Sequence, residues 1–301
     1  MGLVTLFVTL RQVARGDSLY VGWMIALGHP AAALVLGAAF VLSAGWSVPA
    51  ARAEPVDVEL IIATDVSLSM SYEELRIQRE GYIAALTHES VLNAISDGIH
   101  GRIAISMFEW AGEGAQFLIV PWTVIATRED AERVVAQMSE SPPRSARRTS
   151  IAGAILFAGD LFAENHFTGM RRVLDVSGDG PNNSGPPVVP VRDALVAQGV
   201  TVNGLPLMTN MGPAGRFDID DLDDYYANCV IGGPGSFLIP VTDWANFPEA
   251  IRRKLVLELA GPWSPTWQRY AEREAAVLKV STAGDYDCLI GERRWGGHWA
   301  P

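Results

Sequence analysis

The sequence predicts an α/β fold: a doubly wound, mostly parallel six-stranded sheet with one antiparallel edge strand and helices on both faces. Three observations carry this. Short, mostly apolar runs, such as residues 58–63 and 173–176, fit parallel strands buried on both sides. Helical patterns follow most of these runs, and alternating strands and helices imply right-handed crossovers. Residues 111–114 alone separate strand patterns at 101–110 and 115–122, too few for a helical crossover, so that pair is a hairpin.

The first strand, 58–63, ends in Asp65-Val66-Ser67-Leu68-Ser69, and residues 72–86 then read as a helix. After the hairpin, 128–138 is a helix closed by Ser139-Glu140-Ser141-Pro142-Pro143. A polar loop with Arg144, Arg147 and Arg148 leads to Thr149 and an apolar helix running to about 162. The next strand ends in Ser177-Gly178-Asp179-Gly180, followed by a Pro-, Asn- and Gly-rich loop over 181–187. Residues 188–198 form a helix stopped by Gly199, and 200–205 the fifth strand. A short acidic helix at 219–227, a sixth strand at 236–241 and a helix at 247–259 complete the domain. The aspartates at 218–224 lack the Gly and terminal Glu of a calcium loop and fit a helix start favoured by its dipole. Gly232-Gly233-Pro234-Gly235 lacks the Lys-Ser/Thr of a phosphate-binding loop and reads as a turn.

Asp65, Ser67 and Ser69 stand on a loop at a strand's carboxyl end, the edge where open α/β sheets bind ligands. One anionic and two neutral oxygens on a short arc suit Mg²⁺, which takes near-octahedral oxygen coordination with few carboxylates. The pentapeptide alone reads better as turn and helix-cap chemistry, with Ser69 or Ser71 capping the following helix.

Three stretches together resemble the metal-ion-dependent adhesion site of the von Willebrand factor A domain family: Asp65-x-Ser67-x-Ser69, Thr149 opening a later helix, and Asp179-Gly180 after the fourth strand. The resemblance covers about residues 56–260 and implies a Rossmann-like sheet whose first and fourth strands are neighbours at the switch point. It assigns Asp65, Ser67 and Ser69 as first-loop ligands, Thr149 as the second-loop ligand and Asp179 as the third-loop acid. Leu68 stands where many members carry Gly, and Ser177-Gly178 precede Asp179 where Thr is common. The chain is also similar to an uncharacterised family of exported bacterial A-domain-like proteins, of unassigned function.

Residues 1–53 have the order of a signal peptide: Arg11 and Arg15, an apolar core at 31–42, then Ala51-Arg52-Ala53. The alternatives are an uncleaved anchor, for which this core is short of the roughly 20 residues of a span, and a start at Met24, which drops both arginines. Cleavage leaves a domain at 54–261 and a tail at 262–301 carrying Trp263, Trp267, Trp295 and Trp299, with helical composition over 265–280. Of 23 basic and 34 acidic residues, 20 and 33 remain, a net charge of −13. That balance excludes nucleic-acid or anionic-membrane binding through basic patches. Cys229 and Cys288, an even count in an oxidising compartment, are either a disulfide tying the tail to the domain or two free thiols; export favours the bridge.

No G-x-S-x-G or H-E-x-x-H is present, and the five histidines are scattered. Glu109 and Trp110, ending the second strand, and Asn182, after Asp179, are candidate ligand-surface residues. The expected function is non-enzymatic: an exported, periplasmic or secreted binding domain. Mg²⁺, with Mn²⁺ or Ca²⁺ as substitutes, would complete its coordination with an Asp or Glu carboxylate of a protein or ligand partner. The alternatives are a metal-dependent hydrolase acting on phosphates or esters with the same ion, and an adaptor subunit to an ATPase, a role the signal peptide opposes.

Overall fold

The structure, a computed structural model, describes residues 53–209, 219–261 and 286–296. The predicted signal peptide (save Ala53), the helical reading of 265–280, Asp218, and Trp263, Trp267 and Trp299 all lie outside the described residues. The elements run β1 (Glu54–Asp65), α1 (Tyr72–Leu86), α2 (Glu89–Ser96), β2 (Ile103–Trp110), β3 (Gln116–Ile125), α3 (Arg128–Glu140), α4 (Ile151–Glu164), β4 (Phe167–Gly178), α5 (Val188–Ala197), β5 (Val200–Pro206), α6 (Leu222–Tyr225), a π-turn (Tyr226–Val230), α7 (Phe247–Ala260) and α8 (Ile290–Gly296).

Five strands pair in the order β3-β2-β1-β4-β5, all parallel except the edge hairpin strand β3. β1 sits at the centre, and every residue from Val56 to Asp65 is buried. Its side chains alternate: Val58, Leu60 and Ile62 join the core under α1, α2, α3 and α7, whereas Ile61 and Ala63 join that under α4, α5 and the π-turn. Parallel register sets Thr64 opposite Ser177 and Asp65 opposite Trp110, so β1, β2 and β4 end level with one another.

Caps fix the helices that leave this edge. Ser71 caps α1: its hydroxyl accepts from the Glu74 amide at 3.3 Å, and the Glu74 carboxylate accepts from the Ser71 amide at 2.7 Å. Ser150 caps α4, accepting from the Gly153 amide at 3.1 Å.

The sheet has five strands, not the predicted six. Residues 236–241 run beside β5 but make only isolated parallel bridges, Leu238 with Gly204 and Val241 with Leu207. Pro206 lacks the N–H group a continuous ladder would use there. The predicted acidic helix shrinks to α6, after which the Ile231 amide bonds the Tyr226 carbonyl at 3.0 Å, a π-type step. This brings both Tyr225 and Tyr226 to full burial.

Beneath the sheet lies an ionic cluster. The Lys254 ammonium pairs with Asp175 at 2.6 Å and with Glu258, and all three are at most 1% exposed. Asn203, opposite Asp175 in register, donates to Glu258 at 3.0 Å. Burial, then the neighbouring Asp175, push the Glu258 carboxyl up to about 7, with Lys254 opposing. An acid held above its ordinary 4.5 binds a proton in the folded chain that the unfolded chain has lost. Its stabilising contribution is therefore present below about 4.5 and disappears as pH rises through about 7. Glu258→Gln is expected to flatten this by about 1–3 kcal/mol between pH 5 and 8. Urea unfolding of both proteins across that range checks it; parallel pH profiles contradict the assignment.

Candidate metal-ion site

Three loops meet above the level strand ends. In the first, Asp65 accepts the Ser67 amide on Oδ1 at 2.7 Å, folding the chain back over β1. The Ser67 and Ser69 hydroxyls lie 2.8 Å apart, and the Ser69 hydroxyl donates to Asp179 Oδ1 at 2.9 Å. Asp65, Ser67, Ser69 and Asp179 thus form one chain of polar contacts between residues 110 positions apart.

The second loop is bound to both others through backbone. Ala146 exchanges bonds with the first loop, its amide to Val66 at 3.0 Å and its carbonyl from Leu68 at 2.9 Å. Thr149, 5% exposed, is pinned on both sides by Asn183 of the third loop: its amide donates to Asn183 Oδ1 at 2.9 Å, and its carbonyl accepts the Asn183 amide at 2.8 Å. Arg148, immediately before, holds φ +72°, a left-handed conformation unusual for a residue with a side chain.

The electrostatics are unbalanced. Burial raises the Asp65 carboxyl well above its ordinary range and Asp179 raises it further; amides of Ser67 and Asp179 and the Ser67 hydroxyl only partly oppose this. Asp65 Oδ2 and the Tyr226 hydroxyl are buried without a hydrogen-bond partner. Two carboxylates, one with an orphaned oxygen, and the Ser67 and Ser69 hydroxyls are a hard-oxygen donor set of the kind a small divalent cation takes. Among the described residues, no three His, Cys, Asp or Glu side chains group as metal ligands; this cluster contains two.

Gly178 accounts for a departure noted in the sequence. A Cβ there would fall 2.8 Å from the Tyr226 hydroxyl, 3.0 Å from Asp65 Oδ2 and 3.2 Å from the Trp110 ring. A Thr cannot stand before Asp179 unless Tyr226 moves, because the Tyr226 hydroxyl occupies that space. Neither Tyr226 nor Asn183 was singled out by sequence. Tyr226 arrives from a π-turn with no local pattern, and Asn183 sat in a stretch rich in turn residues.

Trp110 and Asn182 are fully buried and present no surface to a ligand, whereas Glu109, 4% exposed, lines a cavity. Trp110 packs against Gly178 because β2 is an interior strand whose end is covered. Asn182 is a buried linchpin: Oδ1 accepts the Ala152 amide at 3.1 Å, its own amide donates to the Tyr225 hydroxyl at 3.2 Å, and Nδ2 donates to Glu292 at 2.8 Å. Glu109 faces a cavity of about 300 Å³ lined also by Arg79 and Arg144. It pairs with Arg79 and stands 3.9 Å from Arg144; burial nevertheless raises its carboxyl. Cys229 and Cys288 are joined, with their Cα atoms 5.5 Å apart.

A doubly wound sheet with oxygen-bearing loops over its switch point makes this a von Willebrand factor A-like domain. Several solved structures are similar to it. Proximal thread matrix protein 1 from the mussel byssus, with a zinc-occupied MIDAS motif, is 15% identical over 69% of this chain and 48% of its own, TM-score 0.47. A von Willebrand factor type A protein from Catenulispora acidiphila is 13% identical over 69% and 43%, TM-score 0.46. The pilus adhesin SpaC from Lactobacillus rhamnosus GG, in its open conformation, is 10% identical over 69% and 30%, TM-score 0.51. The chain spans about half the length of the mussel protein, and the likeness to the pilus adhesin speaks to the fold alone. No curated protein matches it. The chain belongs to the family described as Protein of unknown function (DUF1194), which matches residues 55–263.

Proposed function

We propose that the protein is an exported, non-enzymatic binding domain whose adhesion-type site holds a divalent cation, Mg²⁺ first and Mn²⁺ or Ca²⁺ as substitutes. Asp65, Ser67, Ser69, Thr149 and Asp179 would hold it. When bound, the cation supplies a coordination position that a partner's Asp or Glu carboxylate completes. The observation that carries this reading is the orphaned, fully buried Asp65 Oδ2, whose charge Asp179 opposes and no basic side chain offsets.

The protein's own residues divide the remaining work. Ser67 and Ser69 contribute neutral oxygens, so little of the cation's charge is cancelled and an incoming carboxylate is attracted. Leu68 and Tyr72, 60% and 69% exposed beside the first loop, supply apolar contact for the partner. The N-terminal signal peptide delivers the chain to the periplasm or beyond; among the described residues no helix is long and apolar enough to cross a membrane.

The test is capture from periplasmic extract on immobilised protein. A partner retained in Mg²⁺, released by chelator and not retained by Asp179→Ala is the expected result. Retention indifferent to both the chelator and the substitution sinks the reading.

A further inference from the structure

The described C-terminal residues, 286–296, lie against the two loops that carry Thr149 and Asp179. Their attachment begins at Cys288, half-buried and bonded to the fully buried Cys229 in the π-turn. The Tyr286 hydroxyl donates to Asp221 at 2.8 Å, and its ring meets Tyr225 edge-on at 6.1 Å. Beyond the bridge, Glu292 accepts a hydrogen bond from Asn182 Nδ2 at 2.8 Å, and Trp295 lies under the Arg148 guanidinium at 4.7 Å. Gly291 packs on the Asn182 carbonyl so closely that a Cβ would fall 2.0 Å from it.

These contacts converge on Asn182 and Arg148, which flank the residues holding the second loop. Asn182 binds the first turn of α4, and its neighbour Asn183 pins Thr149 at both amide and carbonyl. Arg148 sits next to Thr149 in a backbone conformation that its surroundings must maintain. A helix as short as α8 does not form on its own in water, so its place here depends on what anchors it. The anchor spans 59 residues of chain, and without it the segment binds at a much lower effective concentration.

We propose that residues 286–296 are a covalently anchored clamp on the second and third loops, so that divalent-cation affinity depends on the Cys229–Cys288 bond, with Glu292 and Trp295 as positioning residues. This rests on the metal-site reading above. A small dithiol reaching Cys288 adds two electrons and two protons to the bond, leaving two protein thiols and an oxidised dithiol. The released segment then no longer braces Asn182, and the Thr149 loop loosens.

The experiment compares four forms of the full chain: oxidised, dithiothreitol-reduced, Glu292→Gln and Trp295→Ala. The two substitutions keep the bridge and sit on a half-exposed helix, so they separate clamp loss from unfolding. Mg²⁺ titration calorimetry reads affinity; hydrogen exchange of residues 148–153 and 182–183 reads the clamp itself. The expected result is Mg²⁺ binding weakened about five- to twentyfold in the last three forms, with exchange at these amides faster by about tenfold or more. Affinity and exchange unchanged from the oxidised protein overturn the proposal. Faster exchange in a protein that binds Mg²⁺ in no form supports the clamp and removes the metal reading instead.

Discussion

Asp65→Asn abolishes the response of the melting temperature to divalent cations and raises that of the cation-free protein. Both effects have one cause. Asp65 is fully buried, burial and Asp179 disfavour its ionised form, and Oδ2 accepts no hydrogen bond. An asparagine keeps the acceptor for the Ser67 amide, loses the charge, and offers an N–H₂ group where the carboxylate oxygen had no partner. Relief of that burden is worth about 1–2 kcal/mol. Saturating Mg²⁺, at 100 times its dissociation constant, should stabilise the natural protein by about 2.7 kcal/mol, or about 5–10 °C for a domain of this size. Scanning calorimetry in Mg²⁺ and in chelator measures both shifts. Equal Mg²⁺ shifts in the two proteins would falsify the site assignment.

Lys254→Met should be the most damaging single change in the core. The lysine lies between Asp175 and Glu258 at no measurable exposure and is the cation that both acids share. Methionine fills the space but leaves two buried carboxyls facing each other, a loss of about 3–5 kcal/mol for a broken buried pair. The deficit should shrink at low pH, where burial already favours protonated Glu258 and Asp175. Adding Glu258→Gln should recover part of it, because one acid is then gone. Urea unfolding at pH 8 and pH 5.5 separates the outcomes; a cost below about 1 kcal/mol at pH 8 rules out an ionic role for the cluster.

What could be read in advance, and what could not, divides along a physical line. Tyr72–Leu86 was legible to the residue because a capping serine and a run of helix formers are local signals. The loops bearing Asp65, Thr149 and Asp179 were legible because each follows a strand or opens a helix. Adjacency of β1 and β4 then brings Asp179 onto the Ser69 hydroxyl. Interior placement was harder. Trp110 and Asn182 stand at a strand end and in a turn-rich loop, positions that look exposed, and their burial depends on elements distant in the chain. The same holds for Tyr226, and for Lys254, which sits in α7 like any surface lysine until β4 is laid beside it. α2 escaped notice because its eight residues follow α1 after only Thr87 and His88. The missing ladder at 236–241 is foreshadowed by Pro206, whose lost donor weighs against the apolar pattern.

That irregular border has a bearing on how copies of the molecule behave when concentrated. A long, regular outer strand would template a foreign one and seed fibrous assemblies. Here residues 236–241 lie along the last strand but touch it at intervals, and Pro240, whose nitrogen faces away from that strand, denies a newcomer a proton donor. The opposite border carries Pro121 within β3. Both rims of the sheet are therefore poor nucleators of strand-on-strand association between copies of the chain.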